Sequence, residues 1–249
     1  MNDLVILHLS DLHIEASTAK YSTLLSKLLN DIEKEITYVP DNSVVVAVTG
    51  DIIHKGDKNA VKNAIIFFKD LYDIIKKKVV SICIVPGNHD KFRTKANEFL
   101  IPAYRNMGND LKDKFDDNFY NTFWKYQEET YDNKNGSGYY KLVKKIYGIF
   151  GLDTDKEHKF IKDTFGVNII EVLGRKYCFV MLNTTWSCVD DKDSRQLILG
   201  QFQVSEILRQ YNDLSEKDNI SLKSIIFFIP CVNLFLSSFP SGYLIYPPV

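Results

Sequence analysis

Histidine is scarce in this chain and stops early: there are five in 249 residues, and none after His158. Charge is absent from one long stretch, the 26 positions from Ser224 to Val249. Cysteine is sparse too. Cys83, Cys178, Cys188 and Cys231 form no CxxC pair, which argues against a disulfide framework and fits a reducing compartment. Cys83 and Cys178 lie inside apolar runs and are expected to be buried thiols. Neither sign of charge dominates. The net charge of -1 offers no case for a nucleic-acid or membrane-surface partner. The first apolar stretch has no basic region before it and ends at Leu9, just before Asp11, so it is not expected to be a signal peptide. What remains is an ordinary soluble profile, 45% hydrophobic and 25% charged. It is long enough for one large α/β domain or two small ones, expected in the cytoplasm.

Hydrophobic periodicity divides the chain into short β-type runs and amphipathic helices. Val5 to Leu9, Val44 to Val48 and Val79 to Val85 read as buried strands. Between them, Tyr21, Leu24, Leu25, Leu28, Leu29, Ile32 and Ile36 recur at helical spacing, with Ser17 or Thr18 as N-cap. Val61, Ala64, Ile65, Phe68, Leu71, Tyr72 and Ile75 do the same in a helix from about Asn59 to Lys77. Lys76, Lys77 and Lys78 read as its solvated end. This β-α-β-α-β order predicts parallel strands. Residues 91–137 break the rhythm and read as an insertion, partly helical, that caps the strand ends. Ile146 to Phe150, Val167 to Val172 and Tyr177 to Leu182 read as strands of a second sheet or an antiparallel extension. Gln201 to Tyr211 reads as a short helix and Ser224 to Ile229 as a final strand.

Three polar clusters follow the first three strands: Asp11-Leu12-His13, Gly50-Asp51 and Gly87-Asn88-His89-Asp90. Carboxylates, imidazoles and an amide are the ligand types that suit divalent metals. The carboxyl ends of parallel strands are where an open α/β sheet places its chemistry. Asp11 and His13, two apart in extended backbone, project to one side. Asp51 has two oxygens and can bridge two cations about 3.5–4 Å apart, while Gly50 permits the tight turn that aims it. Asn88 offers a neutral oxygen. His89 is placed to protonate a leaving oxygen or stabilise charge on a phosphoryl group, and Asp90 to hold that imidazole in the useful tautomer.

In spacing and order these clusters resemble the calcineurin-like metallophosphoesterase superfamily, and Leu7-His8-Leu9-Ser10-Asp11-Leu12-His13 is especially close to it. Gly151-Leu152-Asp153, Met181-Leu182-Asn183-Thr184-Thr185-Trp186 and Gly200-Gln201-Phe202 resemble its later segments, so the resemblance covers about residues 4–228. It implies an α/β fold, a four-layer αββα sandwich, over residues 1–228. It also implies two divalent cations (Mn, Fe or Zn). Asp11, His13 and Asp51 would bind the first cation, Asp51 and Asn88 the second. A metal-activated hydroxide would hydrolyse a phosphomonoester or phosphodiester, with His89 assisting the leaving group. The substrate is a phosphate ester, with nucleotides and nucleic acid among the candidates. The opening heptapeptide is shared with the DNA-repair nuclease branch.

The family pattern carries two further histidine clusters near its C-terminal end. Here Ile229-Pro230-Cys231-Val232 stands where the first belongs, and the second metal loses the most ligands. The uncharged segment 229–249 admits three readings. It is a frame change or truncation near Phe228 that replaced the C-terminal part, a natural short variant, or a membrane anchor. The last fits poorly, because Pro230, Asn233, Ser237, Ser238 and Pro240 interrupt the roughly 20 apolar residues a span needs. Two functions therefore stand side by side: a metal-dependent phosphoesterase, and an inactive relative that works as a binding module. Among the other candidates, His8 reads as a core histidine, His54 as a loop residue with a lesser case for a role near the metals, and His158 as solvated. Asp153 reads as a turn residue and Phe123, Trp124 and Tyr126 as local packing.

Overall fold

The first five residues of β2 (Val44–Thr49) are buried, on both faces, as expected of an unbroken apolar run at the centre of a parallel sheet. β2 pairs in parallel with β1 (Val5–Leu9) on one side and with β3 (Val79–Val85) on the other. The computed structural model describes residues 4–16, 19–54, 58–90, 138–152, 159–161, 165–188, 201–218 and 225–228. The predicted β-α-β-α-β order holds, with α1 (Ala19–Ile36) and α2 (Lys58–Ile75) between the strands. Among the described residues β1 is an edge of this sheet, and its residues alternate between half-buried and exposed up to the buried Leu9. His8 is therefore exposed, not a core histidine, and its Nε2 lies 2.7 Å from Thr49 Oγ1.

One face of the sheet presents Val44, Val46, Val48, Ile82 and Ile84 to the helices, where Ile32 and Ile36 of α1 and Ala64, Phe68, Leu71 and Ile75 of α2 meet them. α3 (Tyr139–Ile149) joins this layer by burying Tyr139, Leu142, Val143, Ile146 and Tyr147. The strand expected at Ile146 to Phe150 is thus the end of a helix. Its β-branched and aromatic residues suggested a strand, but they fall at helical spacing and pack beside α2. Beyond α2, Lys76 and Lys78 lie in the turn before β3, and Lys78 Nζ reaches Asp41 at 2.7 Å. That ammonium holds the Asp41 carboxyl below its usual range.

The other face of the sheet carries Val45, Ala47, Cys83 and Val85 against Ile170, Val172, Phe179 and Met181 of a second sheet. This second sheet has the order β4 (Lys159–Ile161), β5 (Phe165–Val172), β6 (Arg175–Met181), β7 (Ile225–Phe228). β4, β5 and β6 are antiparallel, and β7 runs parallel to β6. β5 and β6 are joined through Leu173 and Gly174 at φ 50° and 77°, the double left-handed geometry that suits a two-residue hairpin. Cys83, Cys178 and Cys188 are free and buried, and burial pushes the Cys83 and Cys178 thiols up to about 12.

α4 (Gln201–Asp218) is seven residues longer than its apolar stripe predicts. Arg209 bonds Glu206 at 2.9 Å and Asp213 at 3.0 Å, pairs that extend the helix where hydrophobic spacing gives no signal. The helix is fixed to the second sheet by glutamines. Gln203 Oε1 accepts from Asn183 N at 3.0 Å, and Gln203 Nε2 donates to Asn183 O at 2.6 Å. Gln210 Oε1 accepts from Val167 N at 3.2 Å. Gln203→Leu would orphan a buried amide and a buried carbonyl of Asn183. It should cost about 2–3 kcal/mol, read as a lowered urea midpoint with unchanged slope. The insertion at 91–137, Asp153, His158 and the segment 229–249 lie outside the described residues.

Candidate metal centre

Three of the five histidines meet at the carboxyl ends of β1, β2 and β3. The backbone that delivers them is left-handed at Asp11 (φ 55°), His13 (φ 43°) and Asp51 (φ 54°), with Gly50 at φ 101°. Asp11 and His13 therefore do share a target, but through two left-handed residues and not through the extended backbone expected. Such φ values are tolerated best by Asp, Asn and His after Gly. They are held by a lattice of loop bonds. Asp11 N donates to Gly50 O at 3.2 Å, His13 N to Asp51 O at 2.8 Å, Ile14 N to Ile52 O at 2.9 Å and His54 N to Ile14 O at 3.1 Å. Ile14 and Ile53 form a short parallel bridge. From α2, Asn63 Nδ2 donates to Glu15 O at 2.8 Å.

The glycines are required by close approach. A Cβ on Gly50 would come within 2.6 Å of Gly87 Cα, and a Cβ on Gly87 would fall onto the carboxylate and amide nitrogen of Asp51. The ends of β2 and β3 thus touch backbone to backbone. This contact lets His89 N donate to Asp51 Oδ1 at 2.8 Å. Asp51 Oδ2 faces His13 Nε2 at 3.9 Å, and Asp11 Oδ1 is also 3.9 Å from that nitrogen. Asp51 is buried, His13 half-buried and Asp11 exposed, so the triad opens from the interior to solvent. One ligand atom from each of Asp11, His13 and Asp51 lies within 4.8 Å of the others. Hard oxygens with one imidazole suit a divalent cation, and the residues present fit one. Burial raises the Asp51 carboxyl above its usual range, against the pull of the His89 N–H and the histidines.

Asp90 is fully buried. Its Oδ1 accepts from Ile53 N at 3.0 Å and its Oδ2 from Gly87 N at 2.8 Å. Buried carboxylate oxygens need donors, and these loop amides supply them, so the side chain braces the β2 and β3 loops. Burial, then the charge of Asp51, pushes its carboxyl up to about 7, against the backbone N–H groups of Gly87, Ile53 and Ile52.

His54, given the lesser case for a role at the metals by its sequence, is brought into the site. Its ring stacks on His89 at 5.2 Å between centroids and 23° between planes, and it lies 6.0 Å from the ring of His13. The His13 and His89 rings are 4.8 Å apart, edge to face. Its signal in the sequence was only its position three residues after Asp51, where the Ile14–Ile53 bridge turns the chain back over the site. From the second sheet, Asn183, Thr184 and Thr185 are buried just past β6. Thr185 Oγ1 donates to Pro86 O at 3.4 Å and to Asn183 Oδ1 at 2.9 Å, which ties the end of β6 to the Pro86-Gly87 turn.

No curated protein matches the chain. A family model described as calcineurin-like phosphoesterase matches residues 4–214, a span that contains all three strand-end clusters, both sheets as far as β6, and most of α4. With that match over the same strand ends that assemble the carboxylate–histidine group, the chain belongs to the calcineurin-like phosphoesterase family.

Proposed function

We propose that this protein is a metal-dependent phosphoesterase that hydrolyses phosphomonoester or phosphodiester bonds. The observation that carries the proposal is the Asp11–His13–Asp51 group, three ligand atoms within 4.8 Å delivered by two adjacent strand ends. These residues would hold a first divalent cation, and Asp51 with Asn88 a second. Bound cations would supply Lewis acidity and a nucleophilic water. His89, its backbone fixed on Asp51, would protonate the leaving oxygen or stabilise phosphoryl charge. Asp90 would act as a positioning residue through the loops it braces. The fold reading that goes with this is a four-layer sandwich over residues 1–228, with α4 as the outer layer and 91–137 inserted. The segment 229–249 would stand outside it. The substrate class includes nucleotides and nucleic acid. No helix among the described residues is long and apolar enough to cross a membrane, and a cytoplasmic setting fits the buried free thiols.

A second reading is favoured by one observation: Ile229-Pro230-Cys231-Val232 stands where the family pattern carries the first of its later histidine clusters. With only Asp51 and Asn88 from this sequence, the second cation would be held weakly. A chain so depleted would keep the fold and act by binding. Titration with Mn²⁺ and hydrolysis of a bis-aryl phosphodiester separate the readings. Turnover that depends on Mn²⁺ supports the enzyme; no turnover with at most one ion bound supports the binding module.

The pH dependence of stability gives an independent check on where the cation sits. Without metal, burial raises Asp51, and Asp90 stands at about 7, whereas an unfolded carboxyl titrates near about 4. Between about pH 4 and 7 the folded chain then holds protons that the unfolded chain has released. The stability owed to these groups is full below about pH 4 and is lost as pH rises to about 7. A cation on Asp51 favours the ionised carboxylate and opposes this loss. Tm should fall from pH 5 to 7.5 in EDTA-treated protein and fall less with Mn²⁺. Identical slopes would place the cation elsewhere.

A further inference from the structure

His13, His54 and His89 each offer one ring nitrogen, and the three nitrogens lie within 4.8 Å of one another. All three residues are half-buried, so the group is sheltered yet reachable from solvent. They come from three different strand ends, and the backbone nitrogen of each is fixed by a bond to another loop: His13 N on Asp51 O, His54 N on Ile14 O and His89 N on Asp51 Oδ1. The backbone that carries the three rings is thus held in place. Among the described residues, no hydrogen bond holds the His13 ring. Its Nε2 is 3.9 Å from each carboxylate, beyond hydrogen-bond reach, and its Nδ1 is buried with no partner among the described residues. A metal-ligating imidazole normally has its second nitrogen fixed by an acceptor; this one is free to turn toward either set of neighbours.

We propose that His13, His54 and His89 form an all-imidazole site for a zinc-class ion, and that it excludes a hard cation from the Asp11–His13–Asp51 group because both sites need His13. Three neutral nitrogens select borderline metals such as Zn²⁺ or Cu²⁺, whereas two carboxylates and one imidazole accept Mn²⁺ or Mg²⁺. Three imidazoles with a fourth position left to water are a known zinc arrangement. Occupation would also engage the His89 ring, so Zn²⁺ would act as an inhibitor. That consequence rests on the phosphoesterase reading; the binding itself does not.

The test uses the full chain and two probe metals. Cu²⁺ bound to metal-free protein should give an electron paramagnetic resonance spectrum with coupling to three equivalent-type nitrogens, and Zn²⁺ should displace it. His54→Ala should weaken Zn²⁺ binding by about tenfold or more and leave Mn²⁺ affinity within about twofold, because His54 is no part of the carboxylate group. His54→Gln repeats the measurement with the ring's volume largely kept, and circular dichroism checks that both variants fold. Unchanged Zn²⁺ affinity in the two folded variants, or a Cu²⁺ spectrum with fewer than three nitrogens, would overturn the proposal. The phosphoesterase reading fails separately, through an absence of Mn²⁺ binding that leaves the Cu²⁺ spectrum intact. Zn²⁺ and Mn²⁺ binding independently, without competition, would show that His13 is not shared.

Discussion

Asp51→Asn is expected to abolish Mn²⁺ binding and lower phosphodiester hydrolysis by about 10³-fold or more, the scale of losing a metal-held nucleophile, while the protein stays folded. The substitution keeps an amide oxygen where Oδ1 accepts the His89 N–H at 2.8 Å, so the β2 and β3 loops remain joined. It keeps a residue type that accepts φ 54°. It removes the charge and the second oxygen, which face His13 at 3.9 Å and would coordinate the cation. Removing the charge also relieves the repulsion that helps to raise Asp90. Calorimetry of Mn²⁺ binding and turnover of the diester are the measurements. An Asp51→Asn protein that still binds Mn²⁺ at wild-type affinity would move the first cation away from this strand end.

Gly87→Ala should be among the most damaging single methyls at the described glycines. Its Cβ has no free direction: it falls onto the carboxylate and the amide nitrogen of Asp51, neither of which is the mobile end of a long side chain. Overpacking a core costs about 1–3 kcal/mol when neighbours can yield, and here the neighbours are backbone and a carboxylate fixed by its own hydrogen bond. A loss of about 4 kcal/mol or more is expected, a large share of total stabilities of about 5–15 kcal/mol. Gly50→Ala meets Gly87 Cα at 2.6 Å and adds the penalty of φ 101°, so it should be of the same order. Gly148→Ala, whose Cβ meets nothing within 4 Å, is the control and should be neutral or slightly stabilising in its helix. Denaturant midpoints for the three variants rank them; equal midpoints would mean that the β2–β3 approach relaxes without cost.

Much of this architecture was legible in the sequence where one physical signal dominated. β1 and β3 fall at the predicted residues, and β2 differs by its last. Each is a short, mostly apolar run with a polar, proline or glycine stop after it, and no helix fits in so few residues. The misreadings arose where two signals competed. Ile146 and Phe150 have the composition of a strand, but the tyrosines before them complete a helical face, and burial against α2 decides the outcome. His8 was read as buried from its strand position alone; that β1 is an edge strand depends on its neighbours in the sheet. Among the candidate site residues, Asp11, His13 and Asp51 were picked out as carboxylates and an imidazole after strands, and the structure brings one ligand atom of each within 4.8 Å of the others. The task of Asp90 was not legible. Which donors reach a buried carboxylate depends on how two loops close, and a sequence lists the donors without their positions.

The left-handed backbone at Asp11, His13 and Asp51 bears on how this fold tolerates mutation. Positions of that kind accept a short menu, chiefly glycine, asparagine and aspartate. Two members of the menu, asparagine and glycine, carry no charge. Drift at Asp11 or Asp51 is thereby funnelled toward replacements that leave the backbone unstrained and the chemistry gone. Bulkier or β-branched replacements, which would announce themselves by misfolding, are removed first. A scaffold built this way loses these carboxylates more readily than it loses its shape.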